Sequence, residues 1–204
     1  MRIISGRAKG RRLTSFKHSL IRPTSDRIRE AVFDILFSCK GSSVDIFPFQ
    51  NVLDAFAGTG AFGIEAYSRG ASNVTFIENN HGVINVLKKN LEVCGFKEGA
   101  DVLSLDIVRA LKHLKKKRKK FDLVFLDPPY DRSLVEDTLR SIINSDILIG
   151  GSLVVAEHSL NEIPAEKIDS IKLEDRRKYG TTMVSFYAGI TDSASEEDRR
   201  VSDE

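Results

Sequence analysis

The chain reads as an α/β protein, a doubly wound, mostly parallel seven-stranded sheet of the Rossmann-like type with a small N-terminal β-hairpin and helix. Three observations predict this. From Asn51 onward, short apolar runs alternate with helically periodic ones, the pattern of parallel strands sandwiched between helices. The first of those runs feeds a glycine-rich loop. The length, 204 residues, suits one such domain.

Taken in order, RIISGRAKGRRL sets a glycine-containing turn between short runs and predicts a β-hairpin. Ile28, Ala31, Val32, Ile35 and Leu36 recur at helical spacing. Thr24 or Ser25 caps that helix, and Pro23 keeps the preceding chain extended. GSSVDIFPFQ is a loop. NVLDAF, NVTFIE, ADVLSLD, FDLVFLD and SLVVAE are five buried strands, with helices near 61–69, 81–94, 107–114, 132–144 and 161–168. The closing stretch DSIKLEDRRKYGTTMVSFYAG forms two strands joined at Tyr179–Gly180. Three regions follow: a basic hairpin and helix over 1–40, the sheet domain over 41–190, and an acidic tail over 191–204 that reads as disordered.

Composition narrows the classes. Hydrophobic residues make up 41% and charged residues 29%, which excludes wholesale disorder, collagen-like and coiled-coil chains. No apolar run approaches the roughly 20 residues of a membrane span. Cys39 and Cys94 are far apart, without CxxC or Cys/His spacing, which excludes a disulfide scaffold, argues against zinc and fits a cytoplasmic location. The N-terminus lacks the apolar core of a secretory signal, though it is Arg-rich and acid-poor as transit peptides are. Net charge is +2, but residues 1–30 hold nine Lys/Arg against two Asp/Glu, and the tail holds two against six. A basic segment on a near-neutral body points to a polyanion, most simply nucleic acid. The plain alternative is a solvated charged arm.

Ligands of such folds bind at the carboxyl ends of the strands. There, Gly58, Gly60 and Gly63 satisfy GxGxxG, a weak match on its own. Asp54, four positions before the first glycine, would repel a pyrophosphate but suits a cationic sulfonium or ammonium group, which argues against NAD. Glu78 ends the second strand and is spaced to accept from both hydroxyls of a ribose; its alternative role is capping the next helix. Asp106 ends the third strand and either accepts from an adenine amino group or caps the helix starting near Ile107.

The fourth strand runs into Asp127-Pro128-Pro129-Tyr130. Two prolines fix φ and remove two donors, leaving a rigid turn of acceptors: the Asp127 carboxylate and the Pro128 carbonyl. The amine of a nucleobase is a poor nucleophile because its lone pair is delocalised into the ring. Two acceptors gripping its N–H bonds rotate and pyramidalise it and free that pair. Tyr130 offers an aromatic face for an extruded base.

These motifs resemble S-adenosylmethionine-dependent methyltransferases of class I that act on exocyclic amines. Together with RIISGRAKGRRL, RPTSDRIREAVFDIL, LDAFAGTGAFGIEAYSRGA and KYGTT, they resemble the RsmD family of 16S ribosomal RNA (guanine(966)-N2)-methyltransferases from Met1 to about Ala188. A resemblance that begins at Met1 makes a transit peptide unexpected. Phe56, Phe62 and Tyr67 depart from the leucines common at those positions. The resemblance implies that Asp127 and Pro128 hold the guanine amino group and Tyr130 stacks on the base. Phe56, Gly58, Thr59 and Gly60 then line the methionine end of the cofactor, with Asp54 beneath it. Glu78 holds the ribose, and Asp106 with Ile107 the adenine. Charge and position, rather than a motif, assign Arg7, Lys9, Arg11, Arg12, Arg22 and Arg27 to RNA, on a hairpin folded beside the crevice.

Lys115–Lys120, the densest basic run, falls at the amino ends of the strands and reads as a solvated loop. Arg176, Arg177 and Lys178 are a secondary RNA candidate. The four histidines are scattered without metal-ligand spacing. The expectation is methyl transfer to the N2 amine of a guanine in 16S ribosomal RNA, naked or in a 30S assembly particle. The expected protein is a monomer that uses neither metal nor membrane. The rivals are a DNA adenine or cytosine amino methyltransferase, an NAD-dependent oxidoreductase, and an inactive ribosome-assembly binder.

Overall fold

The computed structural model describes residues 1–16, 25–38, 47–96, 98–129 and 134–189. Arg22, Tyr130 and the tail over 191–204 lie outside them. Five parallel strands, β1 (Asn51–Asp54), β2 (Asn73–Glu78), β3 (Ala100–Ser104), β4 (Phe121–Leu126) and β5 (Leu148–Ser159), are joined by helices α2 (Ala61–Arg69), α3 (His81–Cys94), α4 (Ile107–Lys116) and α5 (Leu134–Asn144). Helix α1 (Asp26–Ser38) precedes them. Strands β6 (Lys167–Ile168), β7 (Ile171–Tyr179) and β8 (Thr182–Gly189) follow as an antiparallel extension. The sheet order is β3-β2-β1-β4-β5-β8-β7-β6. Strand order reverses between β1 and β4, which sets the ligand crevice at their carboxyl ends.

Two apolar layers explain the winding. Val32, Phe33 and Leu36 of α1, Ile64 of α2 and Leu87 of α3 pack on one sheet face. Leu111 and Leu114 of α4 with Leu139 and Ile142 of α5 pack on the other. Strand β4 is buried at all six positions, as a central parallel strand must be. Among the described residues no helix is long and apolar enough to cross a membrane.

Three details differ from the expectations. The sheet has eight strands, one more than seven, because no helix forms over 161–168; the chain there ends in the two-residue β6. Pro164 disfavours helix at the residue before it. The loop is held instead by Arg176, which donates to the Pro164 carbonyl at 2.7 Å, and by the Tyr187 hydroxyl, which donates to the Ala165 carbonyl at 2.9 Å. The N-terminal hairpin is short: its arms meet antiparallel at one bridge, Arg2 to Arg12, with Ile3 donating to the Arg11 carbonyl and Leu13 to the Met1 carbonyl, and neither arm lengthens into a strand. It also shares its core with the sheet: Ile3, Ala8 and Leu13 are buried in the same cluster as α1 and α2. Ser25 caps α1, its hydroxyl accepting from the Ile28 N–H at 3.2 Å.

Candidate active site

The crevice is assembled from strand ends in register. Asp54 pairs with Phe125 of β4 and Phe76 of β2. Past Asp54 the backbone stays tied to both neighbours, Ala55 donating to the Phe125 carbonyl and Ala57 to the Ile77 carbonyl, each at 2.9 Å. The loop then turns at Gly58 and Gly60, with φ of +51° and +88°. Its glycines serve different needs. A Cβ at Gly60 would sit 2.3 Å from Leu87 Cδ1, and one at Gly63 2.3 Å from Phe76 Cε1, so these two allow helix packing. A Cβ at Gly58 would meet nothing within 4 Å, so that backbone borders open space.

Asp54 lies buried under this loop, its Oδ2 accepting from the Gly63 N–H at 2.9 Å. Desolvation pushes its pKa up to about 7, against the lowering effect of that hydrogen bond and with added repulsion from Glu78. A buried carboxyl of this kind is receptive to a cation. Glu78 does not cap α3. Asn80 does, accepting from the Gly82 and Val83 N–H groups. Glu78 instead accepts from the Gly58 N–H at 3.1 Å through one oxygen and from the Asn79 and Asn80 N–H groups through the other. Asp106 is the N-cap of α4, its Oδ1 accepting from the Arg109 N–H at 2.9 Å, and its Oδ2 lies 3.3 Å from the Arg109 guanidinium. Ile107 is the first residue of α4 and packs at the edge of the second apolar layer, as does the half-buried Phe56.

Beyond β4, Asp127 is half-buried, Pro128 buried and Pro129 exposed. The end of β4 that leads into the turn is packed by aromatic rings: Phe125 stacks on Phe62 at 4.5 Å, and Phe33 lies 5.6 Å from Phe125. Phe62, an aromatic at a leucine position, is thus accommodated by partners from α1 and β4. Across the sheet, β5 pairs Ala156 with Leu126 and carries the buried His158 two residues beyond the end of that pairing. Arg176 Nε donates to Ser185 Oγ at 2.9 Å, and His158 Nε2 lies 2.8 Å from the same hydroxyl. The chain is satisfied by a neutral imidazole whose Nδ1–H faces the Ser159 carbonyl. Burial first, then the Arg176 charge, lowers the His158 pKa.

The basic candidates separate. Arg7, Lys9, Arg11, Arg12 and Arg27 are all exposed, so exposure alone does not divide them. Arg7 is committed: its guanidinium donates to the Tyr67 carbonyl at 3.1 Å and sits 5.2 Å from the Tyr67 ring and 5.7 Å from the Phe96 ring. Its backbone N–H donates to the Ser68 carbonyl. The loop tip therefore docks on the last turn of α2, about 10 Å along that helix from the glycine loop, lower than a position beside the crevice. Arg176 is turned inward, and Arg177 pairs with Asp175 at 2.7 Å, which removes both as ready phosphate contacts. In the Lys115–Lys120 run, Lys115 donates to the Asn144 carbonyl and Lys120 pairs with Asp146; the rest is exposed at the far end of α4.

Two residues that composition and spacing did not single out hold the site together. Glu65, fully buried on α2, accepts from the Ile4 and Ser5 N–H groups and from Arg69, with the buried Arg29 guanidinium at 3.7 Å. Asn90, fully buried on α3, bridges Thr14 and Thr59. Asn90 follows Leu87 by three on the apolar stripe of α3, and a polar residue there is the one sequence signal for it.

Among known proteins, the chain is 33% identical over 187 residues to YlbH of Bacillus subtilis (strain 168), covering 92% of this chain and 98% of the relative. It is 36% identical over 159 residues to the ribosomal RNA small subunit methyltransferase D of Haemophilus influenzae, covering 77% and 78% of the two chains. The solved structure of yhhF from Escherichia coli superposes with a TM-score of 0.76 at 30% identity, over 93% of this chain and 98% of that one. The family described as conserved hypothetical protein 95 matches residues 1–188, from the N-terminal loop to the last strand, and the chain belongs to that family.

Proposed function

We propose that the protein transfers a methyl group from S-adenosylmethionine to the exocyclic N2 amine of a guanine in 16S ribosomal RNA. The observation that carries this reading is the Asp127-Pro128-Pro129 turn, set at the end of the central strand β4 beside the glycine loop of β1. The relatives named ribosomal RNA small subunit methyltransferase D support the RNA substrate.

The residues at the crevice fit the cofactor. The buried Asp54 favours a cationic ligand over a pyrophosphate, Gly58 leaves room for one, and Glu78, already accepting three backbone N–H groups, keeps one acceptor site on Oε2 for a ribose hydroxyl. Phe56, Thr59 and Gly60 would line its methionine end. Ile107 and Asp106 would flank the adenine, with Asp106 also serving as the cap. The bound cofactor supplies an electrophilic methyl on a cationic sulfur.

The chain's own part is to hold and activate the amine. Asp127 and the Pro128 carbonyl accept its two N–H bonds, Tyr130 stacks on the base, and the proton lost on methylation leaves through these acceptors. Catalysis is mainly positioning. Lys9, Arg11, Arg12 and Arg27, exposed and not stacked on rings as Arg7 is, are the RNA contacts this reading favours, and a ribosomal substrate implies a cytoplasmic location.

The test is methylation of small-subunit RNA from cells lacking the protein, followed by mapping of the modified base. N2-methylguanine is expected, with Asp127→Ala at least about 100-fold slower, the scale of a positioned acceptor. Label on DNA, on adenine, or on nothing overturns the proposal, and so does near-normal turnover by the alanine variant.

A further inference from the structure

Asn90 uses three of its four hydrogen-bonding capacities on two distant segments. Its Oδ1 accepts from the Thr14 N–H at 2.8 Å, and its Nδ2 donates to the Thr14 carbonyl at 3.0 Å and to the Thr59 carbonyl at 2.9 Å. Toward Thr14 the amide makes the paired exchange that one strand residue makes with another. Toward Thr59 it holds the glycine loop from behind. The residue is fully buried, so water cannot replace a lost partner, and an unpaired buried carbonyl or amide is costly.

The group is planar, and its two N–H directions are fixed relative to each other. Thr14 and Thr59 are therefore held in one rigid frame, and displacing either one turns the amide against the other. The same N-terminal arm continues along α3. A Cβ on Gly82 would lie 3.2 Å from the Phe16 ring, so that ring covers the first turn of α3. That turn begins just past Asn80, whose N–H donates to Glu78. The arm thus meets the glycine loop through Asn90 alone, and the ribose-side acid through Gly82 and Asn80. Two residues before Thr14 stand the exposed Arg11 and Arg12.

We propose that Asn90 is a positioning residue that couples the N-terminal arm to the cofactor loop, so that RNA on the arm and cofactor in the crevice tighten each other's binding. The inference rests on the cofactor and RNA reading above. Coupling between two sites is reciprocal, and values of 5-fold to 150-fold are usual.

The first measurement uses the unaltered protein, so it does not depend on a variant folding. Amide hydrogen exchange is followed at residues 58–60 and at Thr14, with and without S-adenosylhomocysteine. Slower exchange is expected in both places. Protection of 58–60 without any change at Thr14 overturns the coupling, whereas absence of protection at 58–60 overturns the cofactor reading itself.

The second measurement is the dissociation constant of S-adenosylhomocysteine with and without saturating small-subunit rRNA transcript. The intact protein is expected to show at least about fivefold tightening. Asn90→Asp keeps the acceptor for Thr14 but turns a carboxylate on both carbonyls, and its tightening is expected to fall below about twofold, well under that range. Asn90→Ala is expected to do the same. A merely structural Asn90 would lower the melting temperature and leave the ratio intact, and an unchanged ratio in a folded variant overturns the proposal.

Discussion

The Gly58 N–H donates to the Glu78 carboxylate at 3.1 Å, and this side-chain bond extends to the glycine loop the backbone tie that Ala57 makes to the end of β2. Glu78 therefore does two jobs at once. It orders the loop in the free protein, and it is the ribose acceptor in the proposed complex. Glu78→Ala should weaken S-adenosylhomocysteine binding by about 1–3 kcal/mol, the usual cost of leaving buried hydroxyls unpaired. Glu78→Gln keeps one acceptor oxygen and should lose less. Calorimetry on both variants checks the order. Equal affinity in all three proteins would leave Glu78 a loop-ordering residue only.

Asp54 makes the same site sensitive to pH. Its carboxyl lies above its ordinary value of 3.8, at about 7, mainly through desolvation. A raised folded pKa gives stability that is full below the ordinary value and is lost as pH rises through the raised one. Thermal unfolding of the ligand-free protein should therefore show a loss of stability up to about pH 7 that Asp54→Asn abolishes. A cation beside the group lowers its pKa again. Binding of S-adenosylmethionine about one unit below the raised value should release a proton, read by calorimetry in buffers of different ionisation enthalpy. If no proton is released, Asp54 does not face the cationic part of the cofactor.

Glu65 secures the N-terminal loop to the sheet domain. It receives two backbone N–H groups from Ile4 and Ser5 and lies against Arg29 and Arg69, with neither Glu65 nor Arg29 exposed. Arg69 also lies over the Phe33 ring at 4.7 Å, which ties α1 to the same point. Removing one partner of a buried pair strands the other, at about 3–5 kcal/mol. Glu65→Ala should lower the urea midpoint accordingly and expose the N-terminal loop to protease before the sheet domain unfolds. A midpoint within experimental error of the parent would mean that the loop is held by its apolar side chains alone.

The contrast between Asp127 and Glu65 explains what could be read from the chain. Asp127 stands in a local pattern, strand then rigid turn, and its proposed job is legible from four consecutive residues. The parallel strands were legible for the same reason, since period and burial are written within each segment. Glu65 and Asn90 take their meaning from residues 61 and 76 positions away, and their own neighbourhoods offer no more than a polar residue on the apolar stripe of α3. Arg7 was misplaced relative to the crevice for the same cause. Its charge is visible in sequence, but the Tyr67 and Phe96 rings that hold it are not adjacent. Over 161–168 a weak helical pattern lost to Pro164 and to two long-range hydrogen bonds from β7 and β8.

Within the N-terminal loop, Arg7 differs from Lys9, Arg11 and Arg12 in being packed against α2, which separates stability from RNA affinity. All four are exposed, but Arg7 also packs on two rings and donates to a carbonyl. Exposed cations that touch phosphate release counterions and steepen the salt dependence of binding. Replacing Lys9, Arg11 and Arg12 with alanine should lower the salt slope for RNA by roughly one unit per lost contact. Arg7→Ala should change that slope less, but lower the melting temperature by about 2–4 °C, as loss of roughly 1 kcal/mol does in a chain of this size. Neutralising the four exposed cations of Lys116–Lys119 is the control, one charge more basic than the triple variant but at the end of α4, where the strands begin. It should move the slope less than the N-terminal triple variant. A larger loss in the control would put the RNA across the α4 edge of the sheet, and a larger slope change for Arg7 would make that residue a phosphate contact despite its rings.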